Sequence, residues 1–232
     1  MSVTLGTATT EVRALLDESS PSYWTDPQIQ SWINQGCKDV ARRAEILWQE
    51  VSISVSANVQ NYPFPGDFLN AHRAEFTISG VTGPGAQTFN LDYRGINQMD
   101  EVWGILHSLP AAWPQYFTIR GNSAMGFYLM MYPAPAAAGS LVVYYYRQAN
   151  VVTATEDIDT MQGWEDVVYH YAVWKAWRKA KRPEWQEDMA IYEAKLQQMI
   201  DSTRTMTDLG SQVTTGTPNW PAYAYNTGGD AW

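Results

Sequence analysis

The stretch that decides the fold class is PAAWPQYFTIRGNSAMGFYLMMYPAPAAAGSLVVYYYRQ, residues 110–148. It reads as three consecutive strands, at residues 115–120, 126–132 and 140–147. Each is rich in the aromatic and β-branched side chains that fit a pleated, half-buried surface. A short loop at 121–124 joins the first two. The P-A-P of residues 133–135, followed by Gly139, makes the second turn, because proline fixes φ and removes a donor while glycine accepts positive φ.

Outward on the N-terminal side the period becomes helical. Residues 7–17 predict a short helix with Ala8, Val12, Leu15 and Leu16 on one side, broken by S-S-P-S at 19–22. Thr25 and Gln28 then have capping-box spacing, and Pro27 falls in the first turn, where its missing N–H costs nothing. The helix predicted over 26–49 carries Ile29, Trp32, Ile33, Cys37, Val40, Ala44, Leu47 and Trp48 at three-and-four spacing, with polar residues opposite. From residue 51 the period is two: Val51, Ile53 and Val55 alternate with serines, as in a half-buried strand. Y-P-F-P-G-D at 62–67 reads as a turn. Residues 72–78 and 88–93 read as strands, 80–85 as a hairpin tip or loop, and 96–109 as ambiguous, with one short helix possible at Met99–Leu106.

On the C-terminal side Trp164, Val167, Val168, Tyr171 and Trp174 line one helix face. Pro183 interrupts, and Trp185, Met189, Tyr192, Leu196 and Met199 then form an a/d-like seam suited to packing on another helix. Lys175, Arg178, Lys179, Lys181 and Arg182 form a basic run, read either as a solvated helix face or as a patch meeting an acidic neighbour or DNA. From Met206 the period stops. Thr, Ser, Gly and Pro dominate, Lys and Arg are absent, and Trp220, Tyr223, Tyr225 and Trp232 punctuate the end. Such a segment lacks the pattern to fold alone, and its aromatics are the anchors by which an extended arm would lie on a partner. The expected class is α+β: a helical bundle from N-terminal helices (1–50) and C-terminal helices (151–205), with an inserted antiparallel β-module (51–150) and an extended C-terminal arm (206–232).

Composition narrows the function. With 11 Trp and 14 Tyr in 232 residues, aromatic rings serve a stapled core, intersubunit surfaces, or both. A net charge of −9 argues against wrapping DNA by phosphate neutralisation, and suits a channel wall that DNA slides past. The single Cys37 excludes an internal disulfide framework, and its place on the apolar helix face predicts a buried, inert thiol. The first residues lack a basic and an apolar signal region, and no apolar run approaches the roughly 20 residues that span a bilayer, so a soluble chain with no membrane partner is expected.

The catalytic templates fail in turn. G-N-S-A-M at 121–125 has Met125 where a nucleophile elbow needs glycine. Dinucleotide, Walker A and H-E-x-x-H motifs are absent. His72, His107 and His170 are scattered without ligand spacing. Asp100-Glu101 and Glu165-Asp166 are adjacent pairs that splay apart, the second suited to a helix N-terminus. Asp157 and Asp159 offer two loop carboxylates, too few to argue for a metal. No catalytic residue, metal site or cofactor is expected. A carbohydrate-binding β-module is the alternative of another class; against it, only Trp103 and Trp113 fall in the β part.

The order of these signals carries a resemblance. W-T-D-P-Q-I-Q-S-W-I-N (24–34), V-A-R-R (40–43), Y-P-F-P-G-D (62–67), the P-x-P…G…Y strands and two closing helices together resemble the head-to-tail adaptor (connector) proteins of tailed bacteriophages, over residues 7–205. The resemblance implies a dodecameric ring beneath the portal protein that extends the DNA channel and docks tail nozzle or tail-tube proteins. It implies genomic DNA passing without sequence specificity, a place in the virion neck, and assembly in the host cytoplasm. A tail nozzle or stopper subunit is the runner-up, disfavoured by the two long closing helices. The aromatic, Gly-rich end departs from the family, so portal or neighbour contacts by Trp220, Tyr223, Tyr225 and Trp232 rest on aromaticity alone. Arg42, Arg43, Lys175, Arg178, Lys179, Lys181 and Arg182 form the basic clusters of an acidic chain, and are the residues expected to face a channel.

Overall fold

Thr4 starts the first helix by accepting the Thr7 amide on its hydroxyl at 3.2 Å, a local cap that fixes α1 at Leu5–Leu15. In this computed structural model, which describes residues 2–18, 22–79, 88–103, 111–122 and 126–213, the capping-box pair Thr25 and Gln28 opens α2, Asp26–Ala44. The helix stops there because Glu45 turns left-handed (φ 50°, ψ 54°). The expected extension to residue 49 is thus corrected. Leu47 lies in the connection, still packed on the helical core, which is why the helical spacing carried past the true end; Trp48 begins a strand.

The strands are β1 Trp48–Val55, β2 Asn61–Pro63, β3 Phe68–Ile78, β4 Thr88–Tyr93, β5 Tyr116–Asn122, β6 Gly126–Tyr132 and β7 Gly139–Arg147, with α3 Ile96–Trp103 between β4 and β5. They form one sheet in the order β1-β7-β3-β4-β5-β6-β2. Every pairing is antiparallel except β4–β5, which run parallel through Asp92–Tyr116 and Tyr93–Phe117. The module is therefore mixed, not antiparallel as expected. The long crossover through α3 returns the chain in its original direction, which a tight hairpin cannot do. The stretch read as a turn at 62–67 also contributes β2. It pairs only with β6, and an edge strand tolerates Pro63.

Two helices close the described chain, α4 Glu165–Lys179 and α5 Trp185–Val213. α5 continues past Met206, where the sequence period ends. The helices before and after the sheet share one core, in which Ile29, Ile33, Val40, Val168, Leu196 and Met199 are buried. Gly36 sits where α2 meets α4: a Cβ there would lie 3.0 Å from both Tyr171 Cδ1 and Val168 Cγ1. A second core joins strands from both ends of the sheet, with Val55 (β1), Tyr62 (β2), Phe76, Phe117, Leu129 and Leu141 all buried together. The sheet therefore curls around its own interior. The Tyr62 hydroxyl reinforces this, with the Val59 and Ser56 carbonyls at 3.0 and 3.1 Å as acceptors for its one proton.

Candidate interaction surfaces

Arg13 is the first organising residue. A cation on the buried side of α1 needs partners, and it has several. Its Nη2 donates to the Trp24 carbonyl at 2.8 Å, its Nε to Asp26 Oδ1 at 2.9 Å, and its Nη1 lies 3.2 Å from Glu18 Oε2. Glu18 in turn accepts the amides of Ser22, Tyr23 and Trp24 and the Ser22 hydroxyl. Burial opposes its ionisation, but these hydrogen bonds prevail and hold its pKa down at about 2. The connection between α1 and α2 is thereby pinned, with Tyr23 and Trp24 presented edge to face.

The basic run lies beside these rings. Lys179 sits over both Trp24 and Trp32, at 5.7 and 5.6 Å from their centroids. Lys175 lies 4.5 Å over Trp174, Arg178 lies over Trp174 and Trp185, and Arg182 lies 5.0 Å over Trp177. Sequence periodicity placed the indoles and the cations in separate categories; the packing of α4 on α2 and α5 brings them together. Trp32, expected in the core, is half-buried as part of this layer. Arg42 and Arg43 are engaged elsewhere. Arg42 pairs with Asp39 at 2.8 Å, and Arg43 grips Glu193 with two hydrogen bonds of 2.8 and 2.6 Å, which favour its charged form.

A second surface is the outer face of the sheet. The β1–β7 register sets Trp48 opposite Tyr146, and the Trp48 ring meets Tyr146 and His72 edge to face at 4.8 and 4.6 Å. Arg73 lies over Tyr144 beside them. Trp48 is about half exposed (49%). The sequence reading missed this cluster because it assigned Trp48 to the helix.

The remaining candidates for chemistry are placed as follows. Asp159 is held by Arg147 in a bidentate pair of 2.6 and 2.8 Å and accepts the Asn150 amide, so it fastens β7 to the segment before α4. Asp157 bridges Thr4 through the backbone. Cys37 is buried, and burial pushes its thiol up to about 12. His170 Nδ1 lies 3.6 Å from Asp188 Oδ1. Among the described residues, no three His, Cys, Asp or Glu side chains are placed to share a metal ion, and no helix is long and apolar enough to cross a membrane. His107, Met125 and the four expected anchors Trp220, Tyr223, Tyr225 and Trp232 lie outside the described residues.

The family model described as SU10 adaptor protein matches residues 3–229 of the chain. No curated protein matches the sequence.

Proposed function

The chain belongs to the SU10 adaptor family, structural adaptor proteins of bacteriophages, and from that membership we propose that it is the subunit of a ring in the virion neck. The ring, of twelve copies in the reading favoured here, sits under the portal protein, extends the DNA channel and docks the tail nozzle or tail tube. The observation that carries this reading is the match over residues 3–229, which takes in helices, sheet and arm alike. The physical features agree with it. The helices before and after the sheet bury one core and the sheet a second, which supports reading the chain as a helical body with an inserted β-module that presents two faces to neighbours. Head-to-tail contacts between identical bodies close into a ring when the rotation permits.

DNA passes this ring without base recognition. Arg42 and Arg43 are paired with Asp39 and Glu193, and the chain's net charge of −9 disfavours gripping phosphate, which supports a channel that DNA slides past. The arm, through Trp220, Tyr223, Tyr225 and Trp232, straps each subunit to the portal or to the next copy. Cryo-electron microscopy of the purified chain, with and without its portal protein, tests the reading. A closed ring stacked on the portal is expected; a chain that stays monomeric in the presence of portal overturns it.

A further inference from the structure

The helical body has two oppositely charged ends. Residues 175–182, at the C-terminal end of α4, carry Lys175, Arg178, Lys179, Lys181 and Arg182 and no acidic residue, so the remainder of the chain is more acidic than its net −9. Helix-dipole pairing accounts for a cation or two in a last turn, not for this density. These cations are also positioned, not merely concentrated. Trp24, Trp32, Trp174, Trp177 and Trp185 lie beneath four of them, and Arg178, Lys179 and Arg182 remain exposed above the rings. Glu18, which borders the same groove as Arg182, is already occupied by the amides of residues 22–24 and by Arg13.

The opposite end of the same helix, roughly 20 Å away at 1.5 Å per residue, is acidic. Glu165 and Asp166 open α4, and α1, which packs on α4, carries Glu11. Glu156 and Asp157 join this end, because the Leu5 amide donates to the Glu156 carbonyl and Thr4 bridges Asp157. Lys195 pairs with Asp166, and among the described residues Glu11, Glu156, Asp157 and Glu165 have no ion-pair partner.

We propose that the indole-backed cations at the C-terminal end of α4 dock on the acidic N-terminal end of α1 and α4 in the next copy of this chain, forming the repeating contact of the ring. The occupant is a second copy because the two surfaces are complementary in sign, lie at opposite ends of one rigid helical unit, and so repeat head to tail without using either surface twice. This assignment rests on the ring reading given above.

The test is a charge swap in the full chain, read by sedimentation velocity at low and high salt, alone and with portal-bearing heads. One variant combines Arg178→Glu with Lys181→Glu; the other combines Glu11→Lys with Glu165→Lys. Circular dichroism melts of each variant establish that the fold is kept. Each variant alone is expected to self-associate at least about tenfold more weakly than wild type, because the first lowers the patch from +5 to +1 and the second lowers the acidic end from −4 to 0. An equimolar mixture is expected to recover association, since the intact patch of one variant then meets the intact acidic end of the other. Folded variants that assemble as well as wild type overturn this contact and leave the ring reading standing. So do variants that lose only binding to a duplex DNA probe, which would give the patch to DNA. A wild-type chain that never self-associates, with or without heads, overturns the ring reading itself.

Discussion

Asn34 and Val152 exchange two hydrogen bonds: the Asn34 carboxamide nitrogen donates to the Val152 carbonyl at 3.1 Å, and its oxygen accepts the Val152 N–H at 3.0 Å. A side chain on α2 thus serves as a short strand edge for the segment between β7 and α4, and ties the entry of the closing helices to the opening ones. Asn34→Leu removes both bonds and leaves the Val152 backbone without partners. It is expected to cost about 1–3 kcal/mol in urea unfolding. Amide exchange at Val152 should accelerate with it, while exchange in the sheet stays unchanged.

Gly139 is required by the sheet. A Cβ at this position would collide with the Thr77 carbonyl oxygen and the Phe76 ring, and neither a ladder carbonyl nor a buried ring can withdraw. Gly139→Ala is expected to destabilise by about 1–3 kcal/mol, as overpacking does, with a lower thermal midpoint. Gly66→Ala is the control, because a Cβ there meets nothing within 4 Å.

Acid should loosen the α1–α2 connection through Glu18. Its pKa falls from the ordinary 4.5 to about 2 on folding, so the folded state favours the ionised form. That contribution is complete above pH 4.5, declines as the pH falls below it, and is gone below about 2. Glu18→Gln lacks it at every pH. The stability gap between wild type and Glu18→Gln, measured by urea midpoints, is therefore expected to shrink between pH 5 and pH 2. A gap that stays constant would place the amide hydrogen bonds elsewhere.

The arm is expected to be separable from the body. Because α5 runs to Val213, the informative truncation removes residues 214–232, not everything after Met206. The truncated chain should melt as the full one does by circular dichroism and should attach to portal-bearing heads at least about tenfold more weakly, since a few aromatic anchors carry most of such an interface. Undiminished attachment would make the arm a passenger.

Much of the secondary structure was legible because periodicity is local. The alternation of Val51, Ile53 and Val55, the strand at 88–93 and the seam from Trp185 to Met199 each announced their element, and Thr25 with Gln28 announced the start of α2. Local signals misled where two meanings share one spacing. Leu47 and Trp48 continued the helical stripe while Glu45 had already turned left-handed, and Y-P-F-P-G-D concealed the three residues of β2.

The sequence by itself determined the α-β-α order, the absence of recognisable catalytic motifs, and the resemblance that the family match bears out, because these reside in residue types and their spacing along the chain. Only the tertiary structure decided that β4 and β5 run parallel, that Arg13 and Asn34 hold the connections, and that the 175–182 cations rest on indoles from three helices. Those relationships join residues far apart in sequence. Their energy comes from burial and from pairing across elements, and no local period records which distant groups will meet.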